Sequence, residues 1–144
     1  MSAAALPQLA PIRYLALRDL HGHVGKIASL PILARLVSLD VSSCNLDDAE
    51  IAALVASPHL ANLVVFWVNN NPIGADALRA IGRASLPALR YVETAQTDAE
   101  LVRRYEEYGR ITHLEPTTLA ATLGAELGPR PWLVAQDPPS LDAL

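Results

Sequence analysis

The residues able to do chemistry are few, and each has to be placed before a reaction is assigned to it. Asp19-Leu-His-Gly-His23 brings two imidazoles and a carboxylate close together. Alternate residues share a side in an extended stretch, so His21 and His23 could contribute to a metal site. Two His and one Asp are an incomplete ligand set, however, and no His or Cys follows at ligand spacing. The segment reads as a polar turn, and no metal or cofactor is expected. Cys44 is the single cysteine, which excludes an intramolecular disulfide framework and a multi-cysteine zinc site and fits a reducing, cytoplasmic setting. Neither His59 nor His113 stands at a recognisable offset from a nucleophile. Gly22-His-Val-Gly25 lacks the Lys-Ser/Thr that a phosphate loop requires.

The bulk composition narrows the function further. With 144 residues, one domain with one core is expected. Hydrophobic residues make up 51% and aromatics 5%, so that core must be aliphatic. A formal charge of −4, a single lysine (Lys26) and arginines scattered from Arg13 to Arg130 exclude a phosphate-backbone binder. Arg103-Arg104, the tightest basic pair, lies among Glu100, Glu106 and Glu107 and reads as a solvated helix face. No apolar stretch approaches the ~20 residues of a membrane span, and the first residues, Met1 to Pro7, do not read as a signal peptide. The expectation is a cytoplasmic protein without nucleic-acid or membrane partners, and monomeric.

Internal repetition organises the rest. Leu36, Leu39, Val41, Cys44 and Leu46 in LVSLDVSSCNL each have a counterpart 27 residues on, at Leu63, Phe66, Val68, Asn71 and Ile73 in LVVFWVNNNPI. A third copy carries Leu89, Val92, Thr94, Thr97 and Ala99, and a weaker first copy carries Ile12, Leu15, Leu17 and Leu20. This L-x-x-L-x-L-x-x-N/C-x-L pattern resembles the leucine-rich-repeat family over about residues 12–99, with degenerate outer copies as in capping repeats. The resemblance implies an α/β fold, a short right-handed β-α solenoid with a parallel sheet on its concave face and helices on its convex face. It also implies that the Asn71 side chain hydrogen-bonds neighbouring loop backbone, with buried Cys44 in the same slot and therefore inert. Asp47–Val55 and Gly74–Ile81 read as short helices, with acids in the first turn and apolar pairs Ile51/Leu54 and Leu78/Ile81. Helices there resemble the ribonuclease-inhibitor-like class.

Within the single domain 1–144, residues 1–11 are read as an N-terminal cap, 12–99 as about four repeats, and 100–144 as a helical C-terminal cap with a proline-rich tail. Asp98–Gly109 is expected to be helical, burying Leu101, Val102, Tyr105 and Tyr108. Ile111–Glu115 would be a last edge strand and Thr117–Leu127 a second helix. From Pro129 onward the chain is too rich in proline for regular structure, with Trp132 as its anchor.

If equivalent positions stack about 4.8 Å apart across the sheet, the outward side chains form columns. They are Tyr14, Ser38, Val65, Tyr91; then Ala16, Asp40, Trp67, Glu93; then Arg18, Ser42, Asn69, Ala95. An outward Trp67 between the carboxylates of Asp40 and Glu93 suits an Arg or Lys side chain of another protein. The two acids would stand roughly 10 Å apart, near the separation of inverting glycosidases, but a flat open face gives no water-excluding pocket. The expected function is protein binding through Tyr14, Arg18, Asp40, Val65, Trp67, Asn69, Tyr91 and Glu93, as adaptor or inhibitor, without catalysis. Self-association through the solenoid ends is the alternative, and a tail that either covers this face or touches the partner remains open.

Overall fold

A computed structural model of the chain describes residues 12–144; the expected cap at 1–11 lies outside them. Strands and helices alternate: β1 (Tyr14–Ala16), α1 (Val24–Ala28), β2 (Ser38–Asp40), α2 (Asp48–Val55), β3 (Val65–Trp67), α3 (Ala75–Arg83) and β4 (Tyr91–Glu93). The four strands form one parallel sheet in sequence order. Its register pairs Tyr14 with Ser38, Ser38 with Val65 and Val65 with Tyr91, and sets Asp40, Trp67 and Glu93 side by side. Leu39, Phe66 and Val92, the middle residue of each three-residue strand, point the other way into an aliphatic core with Leu54, Leu63 and Leu78. The alternation of a strand therefore separates core and outer face within three residues.

Helices α2 and α3 start where the sequence places them. Asp47 Oδ1 accepts from the Glu50 N–H (2.8 Å) at the head of α2, and Asp48 Oδ1 accepts from the Gly74 N–H (2.7 Å), tying α2 to the start of α3. Between strand and helix, Asn71 is buried and saturated. Its Oδ1 accepts from the N–H groups of Cys44 (3.2 Å) and Leu46 (3.0 Å). Its Nδ2 donates to the carbonyls of Val41 (3.1 Å), Val68 (3.0 Å) and Asn69 (3.1 Å). Cys44 is also buried, its Sγ against the carbonyl of Leu17 (3.3 Å).

The region after Ala99 departs from the expected helical cap. Residues Asp98–Gly109 do not form a helix; β5 (Val102–Glu107) and β6 (Arg110–Pro116) make an antiparallel hairpin instead. The edge strand expected at Ile111–Glu115 exists within β6, but it pairs with β5 and not with the parallel sheet. Tyr108 and Gly109 both adopt positive φ (50° and 74°), the requirement of a two-residue type I′ turn. Of the four residues expected to be buried there, Leu101 is buried and Val102 half-buried, whereas Tyr105 and Tyr108 are exposed. Helix α4 (Thr118–Leu127) follows, capped by Thr117 Oγ1 on the Ala120 N–H (3.2 Å) and ended by Gly128 at positive φ (78°). It packs on α3, where Leu127 lies against Gly82 and Arg79 grips Glu126 through Nε–Oε2 (2.8 Å) and Nη2–Oε1 (3.1 Å). Trp132 is buried in the core, and the proline-rich end carries single 3-10 turns at Pro131–Leu133 and Leu141–Ala143.

Candidate functional site

The outer face of the parallel sheet brings the central part of the expected column together. Strand β3 presents Trp67 between Asp40 of β2 and Glu93 of β4. The indole is half-buried; its Nε1 donates to Ser38 Oγ (3.1 Å), and its ring lies 5.8 Å from the Tyr91 ring at 57°. This tilted pairing is a favourable aromatic geometry.

The two carboxylates flanking Trp67 have different fates. Glu93 is only 7% exposed. It accepts a hydrogen bond from the Tyr91 hydroxyl and takes Arg104 Nη2 on both oxygens (3.0 and 2.8 Å), so a guanidinium from β5 of the same chain fills the role expected of a partner. Burial first, and then the bond to Glu93, push the Tyr91 phenol above the ordinary tyrosine range. Asp40 remains half-buried, with Oδ1 accepting from the Ser42 N–H (2.9 Å).

Three of the expected partner-binding residues are thereby corrected. Val65 is fully buried, Tyr91 is 3% exposed and Glu93 is engaged internally. Arg104 of β5 accounts for Glu93, and the chain beyond α4 is tied to both edges of the sheet. Gln136 Nε2 donates to the Arg90 carbonyl (3.1 Å) beside β4. At the other edge of the sheet the Tyr14 hydroxyl donates to the Leu141 carbonyl (3.0 Å), and Arg13 Nη2 to the Leu144 main-chain oxygen (2.6 Å). The sheet is about 14 Å wide between these points, within the ~17 Å that five extended residues reach. The segment therefore crosses the face on which Val65 and Trp67 sit. Leu141 of this segment lies with Trp67 along one groove.

An open groove of about 400 Å³ persists beside this strap, lined by Tyr14, Ala16, Ser38, Asp40, Trp67 and Leu141. Its walls are mainly apolar, with one carboxylate and two aromatic rings. Arg18 is exposed, and Asn69 is half-buried with its Oδ1 sealed from solvent and unpaired among the described residues. A second open cavity of about 550 Å³ lies where the strands end, lined by amides and hydroxyls including Asn45, Asn70, Gln96 and Thr97. Asp98 is its one carboxylate.

The metal candidates separate. His21 Nδ1 meets Glu50 Oε1 of α2 (2.7 Å), whose Oε2 accepts from the Gly22 N–H (3.0 Å). The Gly22 bond, with His21 beside it, holds the Glu50 carboxyl below its ordinary range. Among the described residues no three His, Cys, Asp or Glu side chains cluster to hold a metal, and no helix is long and apolar enough to cross a membrane.

Arg104 and Leu141 are the site residues that sequence reasoning missed, and Ser38 stood in the first column without being counted among the binding residues. Arg104 was concealed by the helix reading, and only Gly109, at the second position of the turn, hints at a hairpin in the sequence. Nothing in the sequence announces the path of Leu141. Comparison with protein-family models, with curated proteins and with solved structures finds no match to this chain.

Proposed function

We propose that this chain is a leucine-rich-repeat interaction module that binds another protein through the groove between Trp67 and Asp40. In this reading the parallel sheet is the concave face of a short ribonuclease-inhibitor-like solenoid, and the chain works in the cytoplasm as an adaptor or inhibitor without catalysis. The 27-residue spacing of Leu39 and Phe66, which pair in register, and the bonding of Asn71 to both flanking loops support the family assignment.

The groove carries the functional half of the proposal. A lysine or arginine has an aliphatic stem and a charged head. Tyr14, Ala16 and Leu141 offer apolar walls for the stem, while the Trp67 ring and the Asp40 carboxylate suit the head. Glu93 already holds Arg104 at 2.8 Å, a guanidinium bound on the same face by the chain itself. The test is calorimetry of the intact protein with a short arginine-containing peptide and with its citrulline counterpart, which keeps the shape and loses the charge. Saturable heat with the first only, abolished in Asp40→Asn and in Trp67→Ala, is the expected result. Equal binding of both peptides, or binding that survives both substitutions, overturns the proposal.

A further inference from the structure

The hairpin β5–β6 is a two-stranded sheet that pairs with no other strand among the described residues. Apart from the bonds that join the two strands, no backbone–backbone hydrogen bond involves residues 102–116 among the described residues. Two strands alone are marginal in water, yet this pair holds Tyr105, Tyr108 and Ile111 at 40%, 101% and 50% exposure. Its two edges are not equivalent. Tyr105 faces His113 and the next residue, Glu106, faces Ile111, so Thr112 is an extra residue that bulges β6 and spoils that edge for pairing. Strand β5 is regular along Val102–Glu107.

The charges along β5 run Arg103-Arg104-Tyr105-Glu106-Glu107, basic before the tyrosine and acidic after it. We propose that two copies of this chain associate by pairing β5 with β5, antiparallel and centred on Tyr105, to form a four-stranded sheet across a dimer. In that register Arg103 stands opposite Glu107 of the second copy, and Arg104 opposite its Glu106. Opposed unlike charges stabilise such pairs, and Tyr105, whose hydroxyl donates to Glu115 Oε2 of β6 (3.1 Å) and whose ring lies 5.6 Å from that of His113, sits at the axis. The backbone permits this register. The Tyr105 carbonyl turns toward β6, where Thr112 Oγ1 donates to it (3.4 Å), so alternation turns the peptide groups of Arg104 and Glu106 outward. Shifting by two residues sets Arg104 on Arg104 or Glu106 on Glu106. Parallel pairing in register sets every charge against its like. The charge pattern thus selects one arrangement.

A single strand pair buries less than a standard interface, so the association is weak and salt-sensitive. Arg104 is partly committed to Glu93 at 2.8 Å, which makes Arg103 and Glu107, both exposed, the pair to manipulate. Sedimentation equilibrium of the whole chain over a concentration series is the test. The wild type should rise from the mass of one chain toward twice that mass, and fall back in high salt. Arg103→Glu and Glu107→Arg should each raise the dissociation constant about tenfold or more, because each places like charges opposite each other twice. Mixed together, the two variants restore both unlike pairs and should associate as the wild type does. Circular dichroism establishes that each variant is folded. A wild type that keeps the mass of one chain at every concentration, variants that dimerise undiminished, or a mixture that fails to recover overturns the proposal.

Discussion

Asn71 shows how much one side chain can organise. It satisfies five main-chain groups at the exits of two adjacent strands, from Val41 and Cys44 on one side to Val68 and Asn69 on the other. Each buried group left without a partner costs about 1–3 kcal/mol, so Asn71→Ala should destabilise the protein by roughly 3–5 kcal/mol in denaturant unfolding, allowing for relaxation. Asn71→Asp should be no milder, since it keeps the acceptors but turns an oxygen toward three carbonyls. Cys44 in the equivalent slot makes only weak sulfur bonds, and Cys44→Ala should cost about 1 kcal/mol. A loss at Asn71 no larger than that at Cys44 would refute this account of the loops. Tyr91 gives a pH signature. Its phenol is held neutral above the ordinary tyrosine range, so its full contribution to stability is present below about pH 10, where the unfolded chain's tyrosine is also neutral. Above that pH the unfolded chain ionises first, and the contribution falls as pH rises toward the native value. The stability advantage of wild type over Tyr91→Phe should therefore shrink above about pH 10; an advantage that stays constant across that range contradicts it.

At the scale of elements, legibility followed the source of each element's stability. The register of β1 to β4 could be written from sequence because Leu39, Phe66 and Val92 occupy equivalent buried positions, and a parallel sheet stacks equivalents. Helices α2 and α3 announced themselves through Asp47 and Gly74 at their caps and through apolar residues three apart. The hairpin was misread because Arg103, Glu106 and Glu107 are good helix formers at helical spacing, and charge pairing on a helix face looks the same as charge pairing across strands. What decided for strands was the turn at Tyr108-Gly109, where both residues take positive φ. The site divided along the same line. Trp67 and Asp40 were legible as a column, whereas the capture of Glu93 depends on Arg104, on a different element 11 residues away in sequence, which no local pattern encodes.

At the scale of the molecule, the sheet face and the segment that crosses it form a balance that truncation can tip. The strap is pinned by Arg13 and Tyr14 through two exposed side-chain bonds (2.6 and 3.0 Å) and by Leu141, itself 47% exposed. Each such bond contributes about 0.5–1.5 kcal/mol net, against about 1 kcal/mol per residue for fixing the backbone. Two such bonds are all the side-chain hydrogen bonding lost when the chain ends after Gln136, which keeps Trp132 and the Arg90 contact, so truncation should lower global stability by no more than about 3 kcal/mol. Its effect on the face should be large by comparison. Val65 and Trp67 lose their cover, so collisional quenching of tryptophan fluorescence should increase while buried Trp132 supplies a constant background. Because Leu141 supplies one wall of the groove, the arginine-containing peptide should also bind the shortened chain more weakly. Leu141→Ala in the intact chain should shift both readouts in the same direction and by less. Quenching that is unchanged by truncation would mean that Trp67 is shielded by its sheet neighbours alone, and the strap would then have no hold on the site.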